Sequence, residues 1–352
     1  MRSKSDIIKN AHRACLIFLL ISGCKDAQDK NNVPFSIEGV RTYSVESFQR
    51  LEQFEIGKSG IVSYWSADEV IVADRVLPSQ QSLFNLRTGE TRHFLNLGRG
   101  PGECLDISNQ TVQDGKLYIY SPSSRKVIVL QPSSEPDQVF SLVEEIEINV
   151  PCVRVIPTKN GAYLGTPLVD GRFYLFDKAG QPIDTLGSFP VLDGDAVAIN
   201  NNAFQSQVAF SPDGKYLCSA YHAMDFVEIY SDNFKKIKRL WGPDQFLPRA
   251  VREIRDGYIL DYRDPQKQVY YMISTSNKGF LVGYVGHLYK DRNDPSRCTK
   301  ELHYFDWNGN FLARYILPQE VAFFDVDWEN GRMCGVTFEA EPKLVLAELE
   351  GL

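Results

Sequence analysis

The chain has no excess of charge of one sign large enough to define a partner. Lys and Arg number 38 against 45 Asp and Glu, a net charge of −7. A general nucleic-acid binder needs a clustered basic face, and no run of basic residues supplies one, so nucleic acid is excluded as a partner. Apolar runs are short: none approaches the roughly 20 residues of a membrane-spanning helix. Helical periodicity is scarce, with residues Gln245 to Ile254 the one stretch that reads as a short helix. Cysteines number seven, with no pair at C-x-x-C spacing. His12, His93, His222, His287 and His303 are scattered, and neither H-E-x-x-H nor a zinc-type His/Cys cluster occurs. There is no G-x-S-x-G elbow either. These absences leave no catalytic constellation to assign and no cofactor to expect.

What is present begins with a targeting segment. Arg2, Lys4, Lys9 and Arg13 make a positive leader, and Ala14 to Ile21 a short apolar core. Leu20-Ile21-Ser22-Gly23-Cys24 then resembles a bacterial lipobox. That resemblance implies cleavage before Cys24 and acylation of its thiol and new amino terminus. Acyl chains contribute about 0.8 kcal/mol per buried CH₂, so several chains anchor a protein without a spanning helix. Lys25 to Asn32 is polar and reads as a tether, and Lys25-Asp26 with Asp29 resembles part of a surface-export signal of Bacteroidetes-type lipoproteins. The expected organisation is a signal peptide over 1–23, a lipidated Cys24 with its tether over 24–39, and one folded domain over 40–352. The expected location is the outer membrane, facing the periplasm or the surface. Cys104, Cys152, Cys218, Cys298 and Cys334 remain in the mature chain, an odd number better suited to buried thiols than to a disulfide framework.

The folded part carries a repeat. Ser66-Ala67-Asp68, Asp114-Gly115, Asn160-Gly161, Asp213-Gly214, Asn277-Lys278-Gly279 and Asn330-Gly331 each precede a run of strand formers. Asn-Gly and Asp-Gly favour tight hairpins because both residues accept positive φ. A second series lies between them: Arg87-Thr88-Gly89, Ser134-Glu135-Pro136, Lys178-Ala179-Gly180, Ser231-Asp232-Asn233 and Trp307-Asn308-Gly309. The first series predicts the hairpin between strands one and two of a unit, the second that between strands three and four. The expectation is an all-β, six-bladed β-propeller with four-stranded blades. The chain stops one strand short, and residues Arg41 to Ile56 are expected to complete the last blade and close the ring.

Leu86-Arg87-Thr88-Gly89-Glu90 followed by Leu97-Gly98-Arg99-Gly100-Pro101-Gly102-Glu103 resembles the blade junction of NHL and TolB-like propellers. A weaker copy is Phe176-Asp177-Lys178-Ala179-Gly180 to Leu186-Gly187. Junction and lipobox together resemble the six-bladed TolB-like propeller lipoproteins of Gram-negative, Bacteroidetes-type envelopes. The resemblance implies architecture and no particular reaction.

Two local patterns invite chemistry and point to structure instead. The Gly98–Glu103 run lacks the Lys-Ser/Thr and helix of a phosphate loop, so its glycines read as a sharp turn between strands. Asp325-Val326-Asp327-Trp328-Glu329-Asn330-Gly331 has the Gly of a calcium loop one place late and Val336 where a Glu is needed, and reads as a strand and hairpin.

In such a fold the connections between strands two and three, and between four and the next one, share a face. That face is expected to carry the candidate binding residues Arg75, Arg99, Glu103, Arg125, Asp170, Arg172, His222, Asp225 and Glu339. Arginine forks suit carboxylates, as in an acidic glycan or a peptide terminus. The expected function is a membrane-anchored, non-enzymatic binding or scaffold module for a protein, peptide or glycan. The alternative is a hydrolase or lyase using calcium or another divalent metal in the central channel, held by side chains from several blades.

Overall fold

A computed structural model describes residues 31–57, 60–73, 78–167, 171–187, 204–246, 251–254, 257–260, 266–289 and 298–352. Cys24 and the targeting segment lie outside the described residues, as do Arg75 and Asp170.

Secondary structure among the described residues is strand and turn. Four sheets stand apart as blades. The first holds Val62–Ser66, Glu69–Val72, Ser79–Asn85 and Thr91–Asn96. The second holds Asn109–Gln113, Lys116–Ser121, Lys126–Pro132 and Phe140–Glu147. The third holds Cys152–Pro157, Tyr163–Pro167, Phe173–Phe176 and Pro182–Leu186. The fourth holds Ser206–Phe210, Tyr216–Tyr221, Phe226–Ser231 and Lys236–Trp241, with Asn32–Pro34 added to make five strands. Every sequence neighbour within a blade is antiparallel, and both turn series fall at the hairpins. Asp114 and Gly115, at φ of 50° and 70°, show why: a two-residue hairpin needs both in the left-handed region.

The rest differs from the expectation of six separate four-stranded blades. Gln266–Thr275, Gly279–Tyr289, Thr299–Asp306, Phe311–Asp327, Arg332–Thr337 and Leu344–Glu348 form one continuous sheet, which the N-terminal strands Arg41–Ser44 and Gln49–Arg50 bring to eight strands. Four discrete blades are therefore formed, not six. The cause is the 17-residue strand Phe311–Asp327. Its first half pairs with Thr299–Asp306 and its second half with Arg332–Thr337. Between the halves the chain reads Leu317-Pro318-Gln319-Glu320 and stays extended, passing from one partner strand to the other. At the Gly98–Glu103 junction the glycines do turn the chain, and two sheets separate.

From the expected Arg41–Ile56 stretch, Gln49–Arg50 does pair with the last strand, but the N-terminal segment also supplies two further strands to other edges, which was not expected. Asn32–Pro34 runs parallel to Lys236–Trp241, Arg41–Ser44 parallel to the first half of Phe311–Asp327, and Gln49–Arg50 antiparallel to Leu344–Glu348. Each covers a row of otherwise unpaired backbone groups. Tyr43 stacks on Tyr315 at 5.2 Å between ring centres, fixing the middle contact. Of the stretch Gln245 to Ile254 expected as a short helix, Val251–Ile254 is instead a strand, paired with Gly257–Leu260, and 247–250 lie outside the described residues.

The core is divided among the interfaces between consecutive sheets. Ile71 and Leu83 of the first blade pack with Ile119 and Ile128 of the second. Val127 and Ile146 of the second pack with Val155 and Phe176 of the third. Val70, Val72 and Phe84 meet Cys334 and Val336 of the eight-stranded sheet, which joins the last sheet to the first. Fully buried Phe84, Phe176, Phe226, Phe280 and Phe305 each contribute about 1.5–3 kcal/mol of burial. The five described cysteines are buried. Burial pushes the Cys152 thiol up to about 12, so it stays protonated and unreactive.

Candidate functional site

The sheets surround a central cavity of about 800 Å³. Its wall is made by six strands: Val62–Ser66, Asn109–Gln113, Cys152–Pro157, Ser206–Phe210, Gln266–Thr275 and the second half of Phe311–Asp327. Strands alternate in direction within each sheet, so these inner strands run in one sense. Residues early in each therefore lie towards one end of the cavity, and residues late in each towards the other.

Most polar groups of the wall are committed to holding sheets together. The Asn109 amide donates to the Val155 carbonyl at 2.8 Å and accepts from the Val155 N–H at 3.0 Å, joining the second and third blades. Gln110 Nε2 donates to Ser63 Oγ at 3.1 Å and to the Ile71 carbonyl at 3.2 Å, joining the second to the first.

Two ionisable side chains of the wall stand out. Asp325, late in its strand, is enclosed. Burial raises its pKa, and three donors oppose that: Ser274 Oγ at 2.6 Å and the backbone N–H groups of Tyr64 (2.9 Å) and Val326 (2.8 Å). The Trp328 indole donates to Ser274 Oγ at 3.0 Å. Asp327 Oδ1 accepts from the Asn330 N–H at 3.2 Å, so this stretch is the strand and hairpin that its alternation implied. Arg154, early in its strand, lies at the other end. Its Nη1 donates to the Ser206 carbonyl at 3.2 Å, and its Nε is buried without a hydrogen-bond partner. Burial pulls its pKa down, and Tyr271 opposes that. Nothing in the sequence marked Arg154: it sits singly in an apolar run.

The candidate binding residues separate into three groups. Arg99 and Arg125 are exposed, Arg125 with φ of 50° in the link between its strands. Glu103 and Glu339 are spent locally. Glu103 turns back to accept from the Gly100 N–H at 2.8 Å, and it fills the space a Cβ on Gly98 would take, at 1.9 Å. The glycine run is thus a sharp turn pinned by its own carboxylate. It is also held to the next blade, where Glu145 accepts from the Gly102 N–H at 2.9 Å and from Lys126 at 2.6 Å. Glu339 accepts from Arg50 at 2.8 Å, tying the N-terminal segment to the last sheet, and Arg50 holds its carboxyl below the usual range.

Arg172, Asp225 and His222 turn inward. Arg172 is 2% exposed and donates to the Tyr221 hydroxyl at 2.9 Å and to Ser206 Oγ at 2.8 Å. It continues through Tyr221 to Glu228, which also receives Tyr230 and two bonds from Arg239. Arg172 therefore belongs to a buried network between the third and fourth blades and not to a solvent-facing mouth. Asp225 is fully buried, and its carboxylate caps the turn after Trp241 by accepting from the Asp244 N–H at 2.7 Å. Burial raises its pKa to about 6. His222 lies 5.5 Å from the Tyr271 ring, its Nε2 buried without a hydrogen-bond partner. Burial, assisted by Arg154, lowers its pKa to about 3 and keeps it neutral.

Among the described residues no group of three or more His, Cys, Asp or Glu side chains is placed to hold a metal ion. No helix among them is long and apolar enough to cross a membrane.

A family model described as TolB-like 6-blade propeller-like matches residues 77–329. No curated protein matches the sequence. A protein of Bacteroides fragilis NCTC 9343 described as exported has a similar structure, with a TM-score of 0.56 at 12% identity over 90% of this chain and 98% of that one. A luciferin-regenerating enzyme is similar with a TM-score of 0.50 at 7% identity, over 87% of this chain and 96% of that one. At such identities the likeness is one of fold.

Proposed function

Because this chain belongs to the TolB-like 6-blade propeller-like family, we propose that it is a non-enzymatic binding or scaffold module, held at a bacterial outer membrane by lipid on Cys24. The observation that carries this reading is the central cavity, a preformed concavity with most of its polar groups locked between sheets. A rigid, prepaid scaffold of this kind suits recognition. The exposed Arg99 and Arg125 lie on the face where strands two and three are joined, and offer contacts to a protein, peptide or glycan. The lipobox-like run and the polar tether support anchorage, and the exported Bacteroides protein of similar fold is in keeping with it.

Crosslinking of the full-length tagged protein in its own envelope, followed by affinity purification, tests the reading. A defined partner or glycan should be captured, and Arg99→Glu with Arg125→Glu should remove it while the melting temperature stays unchanged. Capture that survives the double reversal would move the binding surface elsewhere. Radiolabelled palmitate should enter the wild type and not Cys24→Ser; equal labelling of both refutes the anchor.

A further inference from the structure

The Arg154 guanidinium lines the cavity, yet no described carboxylate stands within ion-pair distance of it. Of its five N–H donors the described residues engage one, through Nη1 to the Ser206 carbonyl. An arginine cannot shed its proton as a buried lysine can, so it carries its charge into the cavity. A charge taken from water without a counter-charge is costly. Of the carboxyl groups of the wall, Asp114 is paired with Lys159 at 2.6 Å, and Asp325 lies towards the far end and is satisfied by three donors of its own.

His222 packs beside Tyr271, a residue of the cavity wall. Its Nε2 is buried and without a partner, it feels the Arg154 charge, and its ring lies 5.5 Å from that of Tyr271. Three sheets therefore bring together a cationic fork, a neutral imidazole and a phenol ring: Arg154 from the third blade, His222 from the fourth, and Tyr271 from the eight-stranded sheet.

We propose that the Arg154 end of the central cavity binds a small monocarboxylate, its carboxylate on the guanidinium fork and a second polar group on the His222 imidazole. The fork matches a carboxylate edge with two parallel hydrogen bonds. A single arginine beside an uncharged imidazole balances one negative charge, which favours a monoanion over a phosphate dianion. This rests on the binding-module reading and names a ligand class for it.

The test is calorimetric titration and thermal denaturation of the full chain with benzoate and N-acetylglycine, and with chloride and inorganic phosphate as controls. Wild type should bind a monocarboxylate saturably and melt higher in its presence. Arg154→Met should weaken binding at least about tenfold, a change of about 1.4 kcal/mol. Its melting temperature without ligand should equal or exceed that of wild type, because an uncompensated charge has gone. Arg154→Lys should keep part of the affinity, and Arg99→Ala all of it. If Arg154→Met does not fold, Arg154→Lys and His222→Gln carry the same comparison. The proposal is overturned by absence of saturable binding to wild type, by equal binding to Arg154→Met, or by tighter binding of phosphate or chloride. Monocarboxylate binding without any captured envelope partner would sink the module reading and leave this site standing. Partner capture without monocarboxylate binding would do the reverse.

Discussion

Replacing Glu228 by Gln tests the reading of the buried network between the third and fourth blades. Glu228 is 1% exposed, and its Oε1 takes two bonds from Arg239, at 3.0 and 2.7 Å. Its Oε2 receives the hydroxyls of Tyr221 at 2.5 Å and Tyr230 at 2.6 Å, and Tyr221 receives Arg172 in turn. One anion thus offsets two buried guanidinium groups. The Gln side chain has the same shape, but it removes the charge and turns an NH₂ towards groups that all donate. Breaking a buried pair in this way costs about 3–5 kcal/mol. Unfolding entropy of about 2.1 cal/mol/K per residue over 352 residues converts this to a fall in melting temperature of roughly 4–7 °C. The assay is circular dichroism during heating, with urea titration as a second measure. A pH series adds a sign. Burial alone would raise the Glu228 pKa, but Arg239, Arg172 and the two phenols bring it below its ordinary value. Its contribution is therefore complete above the unfolded carboxylate range, near 4.3, and is lost as pH falls through the folded value. The gap between wild type and Glu228→Gln should be largest at neutral pH and close in acid. A variant within about 1 kcal/mol of wild type at pH 7, or a gap that widens in acid, would refute the account.

Asp225 should behave in the opposite sense. Its folded pKa of about 6 lies above the unfolded value, so ionising it costs stability as pH rises from about 4 to about 6. Asp225→Asn should therefore melt higher than wild type at pH 7 and match it at pH 4; a variant that is less stable at both would show that the carboxylate's hydrogen bonds outweigh its burial. Arg172→Glu should fail to fold or melt far lower, since it places a second carboxylate beside Glu228, and a variant that melts normally would place Arg172 outside the network. Arg50→Ala, which removes a half-exposed pair with Glu339, should cost less than about 1 kcal/mol. Deleting residues 31–50 uncovers three strand edges and should cost several times more by urea titration; equal effects would mean the pairing adds nothing. Gly283→Ala should destabilise by about 1–3 kcal/mol on heating, because its Cβ would lie 2.3 Å from both the Tyr271 carbonyl and Thr299 Oγ1, whereas an unchanged melting temperature would show that the sheet opens there freely.

By itself the sequence determined the local pieces of this protein. Strand formers alternate with Asn-Gly and Asp-Gly turns, and positive φ at Asp114 and Gly115 is a property of two residues that needs no distant partner. The structural role of the Gly98–Glu103 run was legible for the same reason, its carboxylate being only three residues from the N–H it accepts. Tertiary structure decided how the pieces join and which side chains meet. Whether Phe311–Asp327 turns or runs on depends on its partners, and its two halves are hydrogen-bonded to different strands. Arg172 sits in a loop-like, charged stretch that reads as exposed. Its burial depends on Tyr221 and Ser206, which come from the next blade. Arg154 was invisible because strand alternation alone does not say where it points. The pairing of Cys152–Pro157 with Tyr163–Pro167 shifts register between Cys152 and Arg154, and such a bulge re-aims the side chains on one side of it. An irregularity of that kind is set by the neighbouring strand and by the twist of the sheet.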